Sequence, residues 1–364
     1  MNYQNKNLKE FFKQLGRSVV FWIIAMALFA IFRYYGLSEE EGVSTPVEYS
    51  FSRALSMFVL FGLGIGFLSA FIEFFLDKYL SKKVSIGLNL IISSFIYLIT
   101  IVFLSTLTIE ISNLVYDMGI NNNRGWWVYD KTFWTIIIYI ALATLVSSFI
   151  QIANDKFGKG VFLKMLFGKY RKPKEEKRIF MFLDLKSSTT IAEKLGHFKY
   201  SQLIQDCFYD LNEVVPGYDA EIYQYVGDEA VLSWPYEKGL SNNNCVRLFF
   251  AFKQKLLDKN DYYINKYGTS PEFKAGLHGG VLMVAEVGVI KKEVAYHGDV
   301  INTSARIQAE CNTHNVTLLI SEKLLNDLHD DAQSATKFLG SVLLKGKQKE
   351  VKIHSILNYD REII

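Results

Sequence analysis

The chain has 364 residues, a net charge of +3 and 50% hydrophobic residues. That length allows two or three domains, and the near-neutral charge gives no reason to expect a nucleic-acid partner. The three cysteines, Cys207, Cys245 and Cys311, are odd in number and lack metal-ligand spacing, which reads as buried thiols in a reduced compartment. The six histidines form no H-x-x-H or H-E-x-x-H pattern, so no zinc site is expected.

The hydrophobicity is uneven. Met1 to Arg17 is polar and basic. Ser18 to Tyr35 is a first apolar span, long for a signal-peptide core and without a small-residue cleavage site, so it reads as a retained anchor. Phe51 to Phe75 is a second span, in which Gly62, Gly64 and Gly66 would let helices approach closely. Val84 to Leu107 is a third and Thr132 to Ala153 a fourth. Four spans of about 20 residues each suffice to cross a bilayer. Lys and Arg concentrate at the N-terminus, after the second span and after the fourth, whereas the loops at 36–50 and 108–131 are acidic or nearly neutral. The positive-inside rule then puts both termini in the cytoplasm, as for a multi-pass protein of the inner (plasma) membrane.

These patterns divide the chain into a membrane domain at 1–154, a basic juxtamembrane linker at 155–177 and a soluble domain at 178–364. The linker interleaves Lys164, Lys169, Arg171 and Lys172 with apolar residues such as Phe162 and Leu166. It suits anionic lipid headgroups, a transducing helix, or both. Pro173 ends any helix there.

From Arg178 strands and helices alternate, as in an α+β or α/β sandwich with one mixed sheet. Arg178 to Leu185 is an apolar strand closed by an acid, Asp184. Ser187 to Leu195 and Tyr200 to Val215 read as helices. Glu221 to Val226 and Ala230 to Trp234 form a hairpin with Gly227-Asp228 at its turn. Asn242 to Tyr267 reads as one long helix, Phe273 to Val289 as two strands joined near Gly279-Gly280, and Asp299 to Cys311 as a helix. Three later strands, from Val316, Thr336 and Val351, and a short helix from Glu322 complete the series. The turn Lys186-Ser187-Ser188-Thr189 offers N–H groups and hydroxyls to an anion at a helix start. Read alone, Asp184 is a helix cap and Asp228 a turn residue. Together they are two carboxylates beside a phosphate-sized cradle, able to hold divalent ions that clamp a triphosphate.

Phe182 to Thr189 resembles the F-x-D-[IL]-x-x-[FS]-T segment of the class III nucleotidyl cyclases, and Gly227-Asp228 resembles their G-D hairpin. Gly298 to Arg306 resembles the family's G-x-x-[VI]-N-x-[AS]-[AS]-R segment, and Leu344 to Lys347 its terminal L-K-G-K. The resemblance covers roughly the second half of the chain and implies an α+β, ferredoxin-like cyclase domain; the apolar spans place an α-helical membrane domain of four transmembrane helices ahead of it. It further implies that Asp184 and Asp228, with the Leu185 carbonyl, bind two Mg²⁺ or Mn²⁺ ions. Ser187, Ser188, Thr189 and Lys345 (or, as a substitute, Lys347) would bind phosphates. Asn302 would orient the ribose and Arg306 would stabilise charge on the α-phosphate. In that family the metal aspartates and the Asn/Arg pair come from different chains, which implies a homodimer with two composite sites. The reaction implied is ring closure of ATP to 3′,5′-cyclic AMP and pyrophosphate.

The base-reading positions depart from the family. Gln224 and Ala295 stand where adenylate cyclases carry Lys and Asp or Thr, and guanylate cyclases Glu and Cys. A Gln amide both donates and accepts, so adenine, guanine or a pyrimidine all remain open, with ATP preferred. Val226 to Ala230 only partly matches the G-G-D-E-F turn of diguanylate cyclases. A non-catalytic nucleotide-binding membrane sensor, or a transporter with a regulatory domain, are the readings from other classes.

Overall fold

The computed structural model describes residues 3–37, 51–79, 86–116, 131–157, 161–290, 292–329, 336–343 and 350–357. The chain forms two compact units, Met1–Ile152 and Ala153–Ile364.

The first unit is built from helices Tyr3–Leu37, Phe51–Tyr79, Ile86–Tyr116 and most of Lys131–Phe157. The first two lie closest together. A Cβ at Gly62 would stand 2.6 Å from the Trp22 carbonyl oxygen, and one at Gly66 2.6 Å from the Val19 Cα. Both glycines therefore permit an approach that no side chain allows. Trp22, Met26, Phe29, Phe58, Phe61 and Ile140 pack around that contact. Tyr139 donates to the Ala25 carbonyl at 2.6 Å. Three stretches, Gln14–Arg33, Phe51–Ile72 and Phe95–Val115, are long and apolar enough to cross a membrane. The apolar run of the fourth helix, Phe133–Ser147, is shorter. Ser148 and Gln151 follow its end.

Among the described residues the second unit holds one eight-stranded sheet. Its strands are β1 (Lys174–Leu185), β2 (Glu221–Val226), β3 (Glu229–Pro235), β4 (Phe273–Val287), β5 (Glu293–His297), β6 (Leu318–Ser321), β7 (Thr336–Val342) and β8 (Val351–Ile356). The spatial order is β2-β3-β1-β4-β6-β8-β7, with β5 paired to β4. The β1–helix–β2–β3–helix–β4 segment, ordered 2-3-1-4 and antiparallel throughout, is the ferredoxin-like arrangement.

Side chains of β1 alternate between two buried layers. Ile179, Met181, Leu183 and Leu185 face a core shared with Leu203, Cys207 and Leu211 of the helix Ser188–Val214 and with Phe249 and Phe252 of the helix Asn244–Asp258. Phe180 and Phe182 face the other way, among Tyr170, Leu282, Val284 and Val300. Burial on both sides explains the unbroken apolar run. On that second face Arg178 is 3% exposed. It donates to Glu221, to Ser233 Oγ at 2.9 Å and to Glu176 at 3.4 Å. Its guanidinium also sits 5.1 Å from the Tyr296 ring centroid. Glu176 in turn accepts from the Tyr170 hydroxyl at 2.9 Å and from Lys169 at 3.2 Å.

Several boundaries differ from the sequence expectations. β1 begins at Lys174 rather than Arg178, because Lys174 to Lys177 pair with Val281 to Val284 of β4. The long helix expected over Asn242 to Tyr267 breaks at Lys259 into Asn244–Asp258 and Asn260–Tyr267. The expected break between the two helices after Ser187 is a kink at Gly196, whose φ is +71°. Phe273 to Val287 is one strand, without a turn at Gly279-Gly280. Those glycines serve packing: a Cβ on Gly279 would come within 2.7 Å of the Tyr236 ring. The five-residue β5 was not foreseen.

Helix Asp299–His314 lies on the face that carries Phe180 and Phe182. It comes so near β4 that a Cβ at Gly276 would meet the backbone nitrogen of Gln308 at 2.2 Å. Gly276→Ala must push the helix away. We expect a loss of about 3 kcal/mol in chemical denaturation, and a loss below about 0.5 kcal/mol would mean that the helix position is soft.

Candidate active site

Asp184 is the penultimate residue of β1, where the strand leaves the apolar layers. Its register partners are Glu229 on β3 and Lys274 on β4. Lys274 is 8% exposed, and its ammonium lies 3.0 Å from Asp184 Oδ2 and 3.0 Å from Asn312 Oδ1. Gln308 Nε2 donates to the same Oδ2 at 3.1 Å. Burial pushes the Asp184 carboxyl up, Lys274 pulls it back, and the nearby Asp228 raises it again.

Asp228 sits at the β2–β3 turn, where Gly227 takes the left-handed conformation at φ +63°. Asp228 Oδ2 is buried and has no hydrogen-bond partner among the described residues. An orphaned carboxylate oxygen beside a second carboxylate is the donor set of a hard divalent cation, so these residues fit one. Leu185 is buried in the core and can contribute only its carbonyl. Among the described residues no group of three or more His, Cys, Asp and Glu is arranged to hold a metal.

Glu229 follows Asp228. Burial and the charges of Asp184 and Asp228 push its carboxyl up to about 7. Its weight in the site was missed in the sequence, although an acid directly after the hairpin aspartate was a visible signal. Lys274 was missed too, and its signal was a lone cation inside the apolar strand Phe273 to Leu277.

Ser187 is in the left-handed region at φ +57°, and no side chain caps the helix that Ser188 begins. Its first-turn N–H groups, with Thr189 exposed beside them, are open to an anion. Asn302 is exposed and Arg306 partly exposed on helix Asp299–His314. Val300, Thr303, Ser304, Ile307, Gln308 and Cys311 form its buried side. Two residues of α-helix turn through about 200°, so Arg306 points nearly opposite to Gln308. The chain therefore brings Gln308, and not Arg306, to its own Asp184.

Gln224 is exposed on β2 at a bulge that follows Ile222. Ala295 is half-buried on β5, paired with Ala285. Their neighbours Tyr223 and Tyr296 meet edge-on at 4.8 Å between centroids. Lys345 and Lys347 lie outside the described residues.

A ferredoxin-like sheet with paired acids at the end of its central strand and an Asn/Arg helix across it is the layout of a nucleotidyl cyclase domain. A profile of the adenylate and guanylate cyclase catalytic domain matches residues 170–358, and the chain belongs to that family. "Adenylate cyclase 2" of Rhizobium meliloti (strain 1021) is 33% identical over 221 residues, covering 61% of this chain and 61% of that protein. "Adenylate cyclase 1" of the same organism is 25% identical over 191 residues, covering 50% of this chain and 28% of that protein. The chain thus spans less than two thirds of either relative. The structure of a bacterial light-regulated adenylyl cyclase shares the fold, with a TM-score of 0.52, 18% identity and coverage of 62% of this chain and 65% of that one.

A folded-state carboxyl raised from its ordinary 4.5 to about 7 gives stability that is full below pH 4.5 and lost as pH rises through 7. In metal-free buffer Glu229→Gln should therefore raise the melting temperature more at about pH 8 than at about pH 5. A difference independent of pH would remove Glu229 from the charge cluster.

Proposed function

We propose that the chain is a membrane-bound adenylate cyclase that converts ATP to 3′,5′-cyclic AMP and pyrophosphate at the interface of a homodimer. The observation that carries this reading is the orphaned Asp228 oxygen beside Asp184 in a chain of the cyclase family. Bound Mg²⁺ or Mn²⁺ ions, two per site, would supply activation of the ribose 3′-oxygen and charge neutralisation of the leaving pyrophosphate. Asp184, Asp228 and the Leu185 carbonyl would hold those ions. The uncapped turn of Ser187, Ser188 and Thr189 donates to phosphate oxygens, with Lys345 reaching the β- and γ-phosphates.

The outward face of helix Asp299–His314 supports the dimer. Among the described residues Asn302 and Arg306 make no hydrogen bond or ion pair, and they turn away from the Asp184 that Gln308 touches. They suit the ribose and α-phosphate held by a second chain's aspartates. ATP is favoured by the relative named "Adenylate cyclase 2", and Gln224 can satisfy the adenine edge. The same amide can serve GTP or a pyrimidine triphosphate, which makes those the second reading.

The membrane assignment rests on the apolar helices and their outer surfaces. Val20, Ile24, Leu28 and Phe32 expose one apolar stripe at helical spacing, and Phe95, Ile99 and Phe103 expose another. The fourth helix, with Leu142, Leu145 and Phe149 exposed, completes four spans. Both termini are then cytoplasmic by the positive-inside rule.

Full-length protein in lipid, given Mn²⁺ and separately ATP, GTP, CTP and UTP, should yield cyclic AMP as its main product by mass. Absence of any cyclic product would leave nucleotide binding without turnover as the function. Asp184→Ala and Arg306→Ala should each be inactive alone, the latter through kcat more than KM. Co-expressed in equal amounts, they should recover about a quarter of wild-type activity, since half the dimers carry one intact composite site. No recovery would place both residues in one site of one chain.

A further inference from the structure

Of the two positions that would read the base, only Gln224 carries a polar side chain, since Ala295 offers a methyl group. Gln224 is exposed and makes no hydrogen bond through its side chain to any described residue, so its place is set by its backbone. The bulge in β2 sets that backbone. Ile222 pairs with Leu232 and Gln224 with Val231, which leaves Tyr223 between them without a partner on β3. Leu232 belongs to the core beneath the helices Ser188–Val214 and Asn244–Asp258, and Val231 to the layer of Phe180 and Phe182. Strict alternation after Ile222 would put Tyr223 on the second face and send Gln224 back to the first. The extra residue keeps Gln224 on the second face, beside Tyr223.

Tyr223 is anchored on that face. Its ring meets Tyr296 of β5 edge-on at 4.8 Å and Phe180 of β1 at 6.4 Å, and Tyr296 and Phe180 meet at 5.2 Å, which closes a triangle of rings. A hydrogen bond from the Tyr296 backbone also reaches the Tyr223 hydroxyl. Arg178 backs the triangle. Its guanidinium lies 5.1 Å from the Tyr296 ring centroid and pairs with Glu221, two residues before Tyr223.

We propose that Tyr223 is a positioning residue for base recognition: its ring, held between Tyr296 and Phe180, pins the β2 bulge and so aims Gln224 at the nucleotide base. The proposal rests on the reading of Gln224 as base reader given above. An amide must present its donor and its acceptor at fixed places to tell one base edge from another. Without the ring the bulge can straighten, which turns Gln224 to the other face. The turn of Ser187, Ser188 and Thr189 takes no part in this contact, so the phosphates should be held as before.

The probes are 3′-deoxy-ATP and 3′-deoxy-GTP, which lack the attacking hydroxyl and cannot turn over, and inorganic tripolyphosphate, which has no base. Each is titrated with Mn²⁺ into the full-length protein in lipid and followed by calorimetry. Wild type should prefer one analogue. In Tyr223→Leu that analogue should bind about tenfold more weakly and the preference should narrow by about the same factor, the scale of one lost hydrogen bond to the base. Tripolyphosphate should bind Tyr223→Leu as it binds wild type. Tyr223→Phe keeps the ring and should keep the preference. An unchanged preference in Tyr223→Leu, equal weakening of all three ligands, or loss of the preference in Tyr223→Phe overturns the proposal. Gln224→Ala separates this from the underlying reading. Loss of the preference in Gln224→Ala beside wild-type behaviour of Tyr223→Leu sinks the positioning role alone. A wild-type preference in Gln224→Ala, or a wild type with no preference, sinks the base-reader assignment itself and the positioning role with it.

Discussion

Helix Asp299–His314 lies against β4 without room for one methyl group at Gly276. That contact sets where every residue of the helix falls. It delivers Gln308 and Asn312 to the lysine–aspartate pair at the end of β1, and by helical geometry it turns Asn302 and Arg306 outward. Because Thr303, Ser304, Ile307 and Cys311 are buried on the same side, rotation of the helix would expose a packed apolar layer. The orientation of the Asn302/Arg306 face is thus fixed by core packing rather than by any contact that those two residues make themselves.

Charge is distributed along β1 to the same end. Its second face reads Glu176, Arg178, Phe180, Phe182, Asp184, with ionised groups at both ends and aromatic rings between them. At one end the arginine is enclosed by acceptors from three strands. At the other, three carboxylates cluster and only Asp184 is paired with a lysine, so that burial and mutual repulsion raise Asp184 and Glu229 together. The first end meets its charge within the chain, although the buried Arg178 Nε has no hydrogen-bond partner among the described residues. The second keeps an excess of negative potential, which a divalent cation is suited to neutralise.

Much of this was legible in the sequence. The apolar run that ends in Asp184, the Gly227-Asp228 turn and the Asn302/Arg306 spacing are local patterns, and each predicts its own element. Gly279-Gly280 misled because a glycine pair has two physical uses. It can reverse the chain, or it can admit a ring such as Tyr236 against the sheet, and only the tertiary neighbours distinguish them. β5 was missed because the five residues from Glu293 to His297 are too few to carry a periodic signal. Lys274 and Gln308 escaped for a different reason. Their meaning lies in the register of β1 against β4 and in the helix that crosses them, neither of which is written in adjacent residues.

The enclosure of Arg178 has a consequence for how the domain can diverge. Its guanidinium binds Glu221 of β2, Ser233 of β3 and Glu176 of β1, and Glu176 also receives Tyr170 and Lys169 from the segment ahead of the sheet. Replacing the arginine alone leaves two half-buried acids without their counter-charge, and replacing one acid leaves a buried cation short of acceptors. Viable changes at these positions must come as sets, so Glu176, Arg178 and Glu221 behave as a single heritable unit. Lineages of this fold can then trade the whole cluster for an apolar one, but cannot wander through its parts.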